Sequence, residues 1–343
     1  MLAYRMAGSG RAELVDHESP EPGPGEVRLD VLAAGVCHSD LAVLAGGVSR
    51  AWALPFTLGH EICGRVAVLG SDVEGVDVGD QVVVHAPYGC GRCRRCERGQ
   101  TNYCDDRDRL PAAGIGLGVD GGMADSVVVG AERLVSASGV DPVVAATLTD
   151  AGLTSFHAIE GCRDLLTEPD AVVVVIGVGG LGHLAIGILR ACYGVQVVAV
   201  DTRDAALELA GECGADVAVG PGGAAAAVTA VAGGRGADVV FDFAGAQSSL
   251  ELATAVLRTA GELVVVGSGG GVLRVAKPGV LPAGIRLRLP FWGSRTELSG
   301  VVELARQGAL RPRTTTFPLT EADRAFAELR DGKLVGRAVL VPR

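Results

Sequence analysis

Four of the nine cysteines, Cys90, Cys93, Cys96 and Cys104, stand at the spacing C-x2-C-x2-C-x7-C. Four thiolates this close together can wrap one tetrahedral Zn²⁺ at about 2.3 Å and leave no open position, so the chemistry they offer is structural. An iron–sulfur cluster, disulfides or four unrelated cysteines are the other readings, and zinc is preferred. Arg92, Arg94, Arg95 and Arg98 decorate the cluster. A basic zinc ribbon can bind nucleic acid, but a chain with a net charge of −10 is a poor partner for a polyanion. The arginines therefore read as a solvated face.

A second group is scattered. Cys37-His38-Ser39-Asp40 comes first, Gly59-His60-Glu61 follows, and Asp150 lies within Thr147-Leu148-Thr149-Asp150-Ala151-Gly152. Spacing alone makes each of these weak, because a lone histidine is more often structural than a ligand. The run Gly177-Val178-Gly179-Gly180-Leu181-Gly182 is stronger. It matches G-x-G-x-x-G, follows an apolar run, opens a helical pattern, and is followed about 20 residues later by Asp201. In such a loop Gly177 permits the turn, Gly179 lets a pyrophosphate approach the backbone, and Gly182 lets helix and strand pack closely. The amides of Gly180, Leu181 and Gly182 then sit at a helix N-terminus, where the dipole favours phosphate. Asp201 would accept hydrogen bonds from an adenosine ribose and repel a 2′-phosphate, which favours NAD over NADP; the basic Arg203, beside Thr202, pulls the other way.

The order Cys-His-Ser-Asp, Gly-His-Glu, four-cysteine lobe, dinucleotide fingerprint resembles the zinc-dependent medium-chain alcohol dehydrogenases over essentially the whole chain. Within them it looks most like the bacterial NAD-dependent secondary-alcohol dehydrogenases that carry Asp, not Cys, at the third metal position. The resemblance implies two zinc ions per chain, one structural on the four cysteines and one catalytic on Cys37, His60 and Asp150. Glu61 joins the catalytic shell when no substrate is present, and Asp40 is the carboxylate that orients His60. It also implies NAD as coenzyme, with His38, Gly267 and Arg337 among its contacts and Arg295 as a weaker phosphate candidate. The implied reaction is hydride transfer between an alcohol and the nicotinamide, with zinc as Lewis acid and Ser39 taking the hydroxyl proton. Ala42 stands where several family members have a relay histidine, so the proton would leave through His38 or water. Ser39, Ala42, Trp52, Leu117, Phe291 and Trp292 are the implied pocket, roomy and apolar, suited to medium-sized or aromatic secondary alcohols and their ketones. A polyol or specialised biosynthetic dehydrogenase of the same fold is the alternative, and a non-catalytic NAD- and zinc-binding regulator is a second one.

The elements that must position these residues also have signatures. With 343 residues the chain suggests about two domains. Its 51 glycines are about twice the usual share. Residues 27–31 alternate apolar and charged side chains, as a half-buried strand does, and 62–69 and 81–85 are further strand candidates. Residues 105–122 predict a long surface loop. From about residue 171 apolar runs alternate with helical patterns, as for a parallel sheet covered on both faces. Residues 171–176, 195–200, 216–219, 237–243 and 263–267 read as strands, 181–192, 204–213 and 247–258 as helices, and 220–223 as a turn. Thr320 is expected to cap a helix through Leu329, with Asp323 completing a capping box. Cys63, Cys162, Cys192 and Cys213 read as small core residues. The patterning gives an α/β class with a parallel sheet, and the resemblance implies a Rossmann-type doubly wound parallel sheet (151–291) and a GroES-like, mostly-β catalytic domain (1–150 and 292–343) carrying the zinc lobe at about 88–105. No apolar run reaches the ~18 residues of a membrane span, and no signal peptide is evident. A cytoplasmic protein binding a small-molecule alcohol or ketone is expected, without nucleic acid or membrane. A homodimer or homotetramer is expected too, paired through an edge segment at 281–291.

Overall fold

The computed structural model describes residues 1–8, 10–46 and 52–342. The chain divides into two compact units. The first comprises Met1–Leu153, Trp292–Gly308 and Thr314–Arg343; the second comprises Thr154–Phe291 and Ala309–Arg313.

The first unit is mostly β. Its centre is the long strand Glu26–Val36, whose alternation extends the pattern seen at 27–31. It pairs antiparallel with Glu61–Leu69 on one side and with Arg337–Val341 on the other, and its first half also pairs with Ser126–Gly130. Gln81–Val84 and Leu134–Ser136 continue the sheet beyond Glu61–Leu69, and Thr314–Pro318 closes its other edge. A smaller sheet joins Leu2–Gly8, Arg11–Asp16 and Phe56–Thr57.

The second unit is a six-stranded, all-parallel sheet. Its spatial order is Val217–Val219, Gln196–Val200, Val172–Ile176, Ala237–Asp242, Leu257–Val265, Arg286–Arg288. The first strand in sequence, Val172–Ile176, therefore lies between the second and fourth, and the order reverses there. Loops at such a switch point form the crevice where ligands bind in doubly wound sheets. Val174, Ile176, Val198, Val200 and Val240 pack beneath Ala224, Val228, Ala253 and Val256 of the covering helices. Branched side chains buried on both faces explain why these strands read as continuous apolar runs. The outermost strand is Arg286–Arg288, three residues of the segment 281–291, with Leu287 and Leu289 exposed.

Several local expectations are corrected. Residues 220–223 are not a turn: Pro221–Val231 is a helix. Proline costs nothing at the first helical position, where its missing N–H has no partner to lose, and the alanines behind it are the strongest helix formers. Thr320 caps no helix. A 3-10 turn, Leu319–Glu321, leads into Ala322–Arg330, and no side chain caps that helix; Asp323 instead accepts a 2.6 Å hydrogen bond from the Tyr4 hydroxyl. Residues 105–122 are not all surface loop, since 114–118 are buried and form two short paired strands, Gly114–Ile115 and Gly118–Val119. Cys192 is exposed and Cys213 half-buried, so only Cys63 and Cys162 of the four are core residues. Among the described residues no helix is long and apolar enough to cross a membrane.

His85, just beyond the strand Gln81–Val84, is buried, and its Nε2–H donates to the Gly293 carbonyl at 2.9 Å. Burial pushes its pKa down to about 4; Arg133 and Arg295 help, while the Gly293 bond opposes. The folded chain thus keeps His85 neutral after the unfolded chain has begun to take up its proton. Stability should be intact above about pH 6.5 and fall as the pH drops towards 4, by up to roughly 3 kcal/mol from this group. Urea melts across that range should show a shallower loss in His85→Gln; an unchanged slope would contradict the assignment.

Candidate metal centres and nucleotide loop

Cys37 ends the central strand and precedes the short helix His38–Leu44. Strand register brings its partners to it. Gly35 pairs with Glu61 on one side and with Val339 on the other, so His60-Glu61 and Arg337 flank the same end of the central strand. Gly35 must lack a side chain, because a Cβ there would lie 1.7 Å from a Glu61 carboxylate oxygen. Asp150 arrives by another route: it sits in a single π-helical turn, Leu148–Gly152, inserted between the helices Pro142–Thr147 and Leu153–Glu160. Such bulges re-aim a side chain and are frequent at functional sites.

The ligand atoms of Cys37, His60, Glu61 and Asp150 all lie within 4.8 Å of one another, and all four residues are buried. Asp150 Oδ2 is 3.3 Å from Cys37 Sγ and 3.4 Å from His60 Nε2. Asp40, fully buried, holds the group from behind: one oxygen faces His60 Nδ1 at 3.2 Å and the other accepts the Cys37 amide at 2.9 Å. With Nδ1–H donated to Asp40, Nε2 is left for a cation. Arg337, which the resemblance implies as a nucleotide contact, is buried, pairs with Glu61 and lies 3.3 Å from Asp150 Oδ2.

The electrostatics fit a metal. Burial alone would lower His60, yet Asp40, Asp150 and Cys37 outweigh it and hold its pKa well above the ordinary value. Burial likewise opposes ionisation of Asp150, but His60 and Arg337 win and keep it ionised. Burial raises Glu61 to about 7 against the pull of Arg337, and Asp150 adds to the rise. A buried set that draws a proton onto its imidazole is short of positive charge, and a soft–hard mixture of thiolate, imidazole and carboxylate suits Zn²⁺.

Around this centre the remaining predicted residues divide. Ser39 Oγ lies 3.6 Å from Cys37 Sγ on the exposed side of its helix, where His38 and Ala42 are exposed as well. Trp292 meets the His60 ring edge-on, with centroids 5.7 Å apart, and takes a positive φ of 47°. Such a conformation is strained for a bulky residue and marks a position held by its surroundings. Trp292 and Trp52 pack against Gly114 and Gly118, on either side of the buried Leu117. Phe291 belongs to the second unit. Arg295, the weaker phosphate candidate, donates both Nε–H and Nη2–H to the Leu134 carbonyl within the first unit.

In the lobe, the ligand atoms of Cys90, Cys93, Cys96 and Cys104 also lie within 4.8 Å of one another, and all four thiols are free. Amides point at the sulfurs: Cys96 N–H and Asp105 N–H reach Cys93 Sγ at 3.4 Å, and Cys90 N–H reaches Cys104 Sγ at 3.3 Å. The Cys96 amide, with that of Asp105, brings the Cys93 thiol down to about 6, whereas burial takes Cys96 up to about 12. Four converging thiols with donors to sulfur are the chemistry of a closed zinc site.

The nucleotide loop leaves the strand Val172–Ile176 and enters the helix Gly182–Cys192, whose start no side chain caps. No side chain competes with an anion for its first amides, of which that of His183 reaches the Gly179 carbonyl at 3.3 Å. A Cβ at Gly182 would lie 1.9 Å from the Gly177 carbonyl, so only glycine permits this approach. A Cβ at Gly179 would meet nothing within 4 Å: the loop backs onto open space there, as a pyrophosphate requires. Asp201 is buried and accepts the Val178 amide at 2.8 Å and the Arg203 amide at 3.0 Å, while the Arg203 side chain pairs with it. Thr202 beside it is exposed. Sequence reasoning missed Asp242, which ends the strand Ala237–Asp242 and is fully buried. Its carboxylate accepts the amides of Ala244 and Gly245 at 2.9 Å and the Ser249 hydroxyl at 2.7 Å, and its carbonyl accepts the Gly267 amide. The available signal was an acid at the end of an apolar strand, three residues before Gly245.

Metal analysis of the purified chain should give two zinc ions. Cys96→Ser should give one and a lowered Tm, because binding energy at such lobes is folding energy; two retained ions would reject the four-cysteine site.

A family model for the alcohol dehydrogenase GroES-like domain matches residues 23–139, and one for zinc-binding dehydrogenases matches 180–307. An NAD-dependent alcohol dehydrogenase of Sulfurisphaera tokodaii is 34% identical, with 100% of both chains covered. Among solved structures, the alcohol dehydrogenase of the hyperthermophilic archaeon Aeropyrum pernix superposes with a TM-score of 0.91 at 31% identity over 100% of both chains. The acetophenone reductase of Geotrichum candidum, solved with NAD, gives 0.85 at 31% identity, over 99% of this chain and 96% of that one. On its sequence matches and its fold alike, the chain belongs to the zinc-dependent medium-chain alcohol dehydrogenase family.

Proposed function

We propose that this protein is an NAD- and zinc-dependent alcohol dehydrogenase that interconverts medium-sized or aromatic secondary alcohols and their ketones. The observation that carries the reading is the buried convergence of Cys37, His60 and Asp150 donors, with Glu61, within 4.8 Å. When bound, zinc would supply a Lewis acid for the alcohol oxygen and NAD a hydride acceptor.

The chain's own residues do the rest. Cys37, His60 and Asp150 hold the metal, and Asp40 fixes the His60 tautomer and the Cys37 backbone together. Arg337 keeps the Glu61 carboxylate paired, which leaves a coordination position free for substrate. Ser39 Oγ takes the alcohol proton. Because Ser39 is exposed, it passes that proton to water or to His38 without a histidine at position 42. Gly177–Gly182 seat the pyrophosphate, Asp201 selects the unphosphorylated ribose, and Arg203 is neutralised by its pairing with Asp201. Thr202 and Gly267 border the nucleotide. Leu117, Trp52 and Trp292 give the substrate apolar walls, where the unpaired hydroxyls of a polyol would be costly. The acetophenone reductase among the similar structures supports an aromatic ketone as a substrate of this kind. A cytoplasmic homodimer or homotetramer completes the proposal.

NADH formation should be followed with zinc-replete protein and a panel of primary, secondary and polyhydroxy alcohols. Turnover is expected to be strongest with aromatic and medium-sized secondary alcohols; a preference for polyols would reject the apolar pocket. Ser39→Ala should lower kcat by on the order of 10²-fold or more, with zinc content and NAD affinity kept. Unchanged turnover would remove Ser39 from the relay.

A further inference from the structure

One buried titratable group plays no part in that reaction. His183 follows Gly182 directly, on the first turn of the helix Gly182–Cys192, and is 1% exposed. Its Nδ1 lies 2.7 Å from the Gly179 carbonyl oxygen, and its Nε2 lies 3.2 Å from the backbone nitrogen of Arg313. A carbonyl can only accept and an amide N–H can only donate. The ring is therefore a neutral imidazole with its hydrogen on Nδ1: it donates to Gly179 and accepts from Arg313.

Both partners are unusual. Gly179 is the loop residue whose backbone faces open space. Arg313 ends the five-residue segment Ala309–Arg313, which belongs to the nucleotide unit although the chain on either side of it belongs to the first unit. This strap has no regular secondary structure, so its amides need partners outside a ladder. Two further anchors hold it to the same body. Leu310 is buried against Gly187, four residues beyond His183 and so on the same helix face, where a Cβ would come 2.9 Å from its methyl. The Arg313 guanidinium pairs with Glu212.

We propose that His183 is a positioning residue that couples the nucleotide loop to the 309–313 strap. With its own backbone amide, which reaches the same oxygen at 3.3 Å, the ring fixes the Gly179 carbonyl and so turns the neighbouring loop amides towards the pyrophosphate, and through Nε2 it transmits the seating of the nucleotide to the Arg313 amide. The inference rests on the reading that this loop binds NAD. A histidine that only filled space would affect stability and nothing else.

The test uses the full chain and ADP-ribose, which carries the adenosine and pyrophosphate but no nicotinamide. Affinity is measured by calorimetry, and exchange of the 309–313 amides by hydrogen–deuterium mass spectrometry. In the wild type, ADP-ribose should slow exchange in 309–313. H183L should bind ADP-ribose about tenfold more weakly, the scale of one lost hydrogen bond, and its strap should no longer respond. H183N can still donate to Gly179 but is too short to reach Arg313. It should bind within about twofold of wild type while the strap response is lost, which decides the matter even if H183L does not fold. Equal affinity in wild type and H183L, or an undiminished strap response in either variant, would overturn the coupling alone. A wild type that does not bind ADP-ribose would instead overturn the NAD reading and the coupling with it.

Discussion

The first unit depends on a concentration of buried acidic and thiol side chains. Cys37, Asp40, Glu61 and Asp150 are all buried, with one imidazole and one guanidinium among them. Ionised groups taken out of water cost several kcal/mol each unless paired, so the surroundings must supply compensation at fixed positions. Arg337 does this for Glu61, and Asp40 does it for the imidazole. Cys37, His60 and Asp150 then point at one another, with Arg337 reaching Asp150 from the side. A divalent cation is the natural remedy, and the same deficit draws a proton to His60 when no cation is present.

Pairing across the sheet makes this arrangement rigid. Glu61 and Arg337 sit on strands that flank the central one and meet across Gly35. The substitution of a single hydrogen there would break the contact, since the space for a methyl group is already filled by the carboxylate. Asp150 comes from a helical segment whose regular period is interrupted by one π turn. A sheet and an interrupted helix thus supply donors from opposite directions. Trp292, held at a positive φ, closes against the His60 ring.

The second unit solves a different problem, how to keep backbone amides free for an anion while burying everything beside them. Buried carboxylates and one imidazole satisfy the surrounding turns. Asp201 takes the Val178 amide, Asp242 takes those of Ala244 and Gly245, and His183 takes that of Arg313. The helix start itself has no side-chain cap.

How much of this was legible in the sequence follows from locality. The four-cysteine lobe and the glycine loop are each contained in a short stretch, so spacing alone specifies their geometry. The parallel sheet was legible for a similar reason: strands buried on both faces read as unbroken apolar runs. The helix at Pro221–Val231 opens on a proline and glycines that read locally as a turn, and the alanines behind them carry it as a helix. The buried Cys/His/Asp cluster was invisible to spacing, since Cys37, His60, Asp150 and Arg337 lie on separate elements, and only motif order suggested the first three. Strand register and a π turn decided their meeting, and neither is written in local composition. Arg337 shows the limit most plainly. Strand order sets it beside Glu61, a pairing that its own sequence neighbours do not state, and a buried carboxylate attracts the nearest guanidinium. The sequence by itself determined which chemistry the chain carries; the tertiary structure decided which charges face one another, because that depends on pairings between residues distant in the chain.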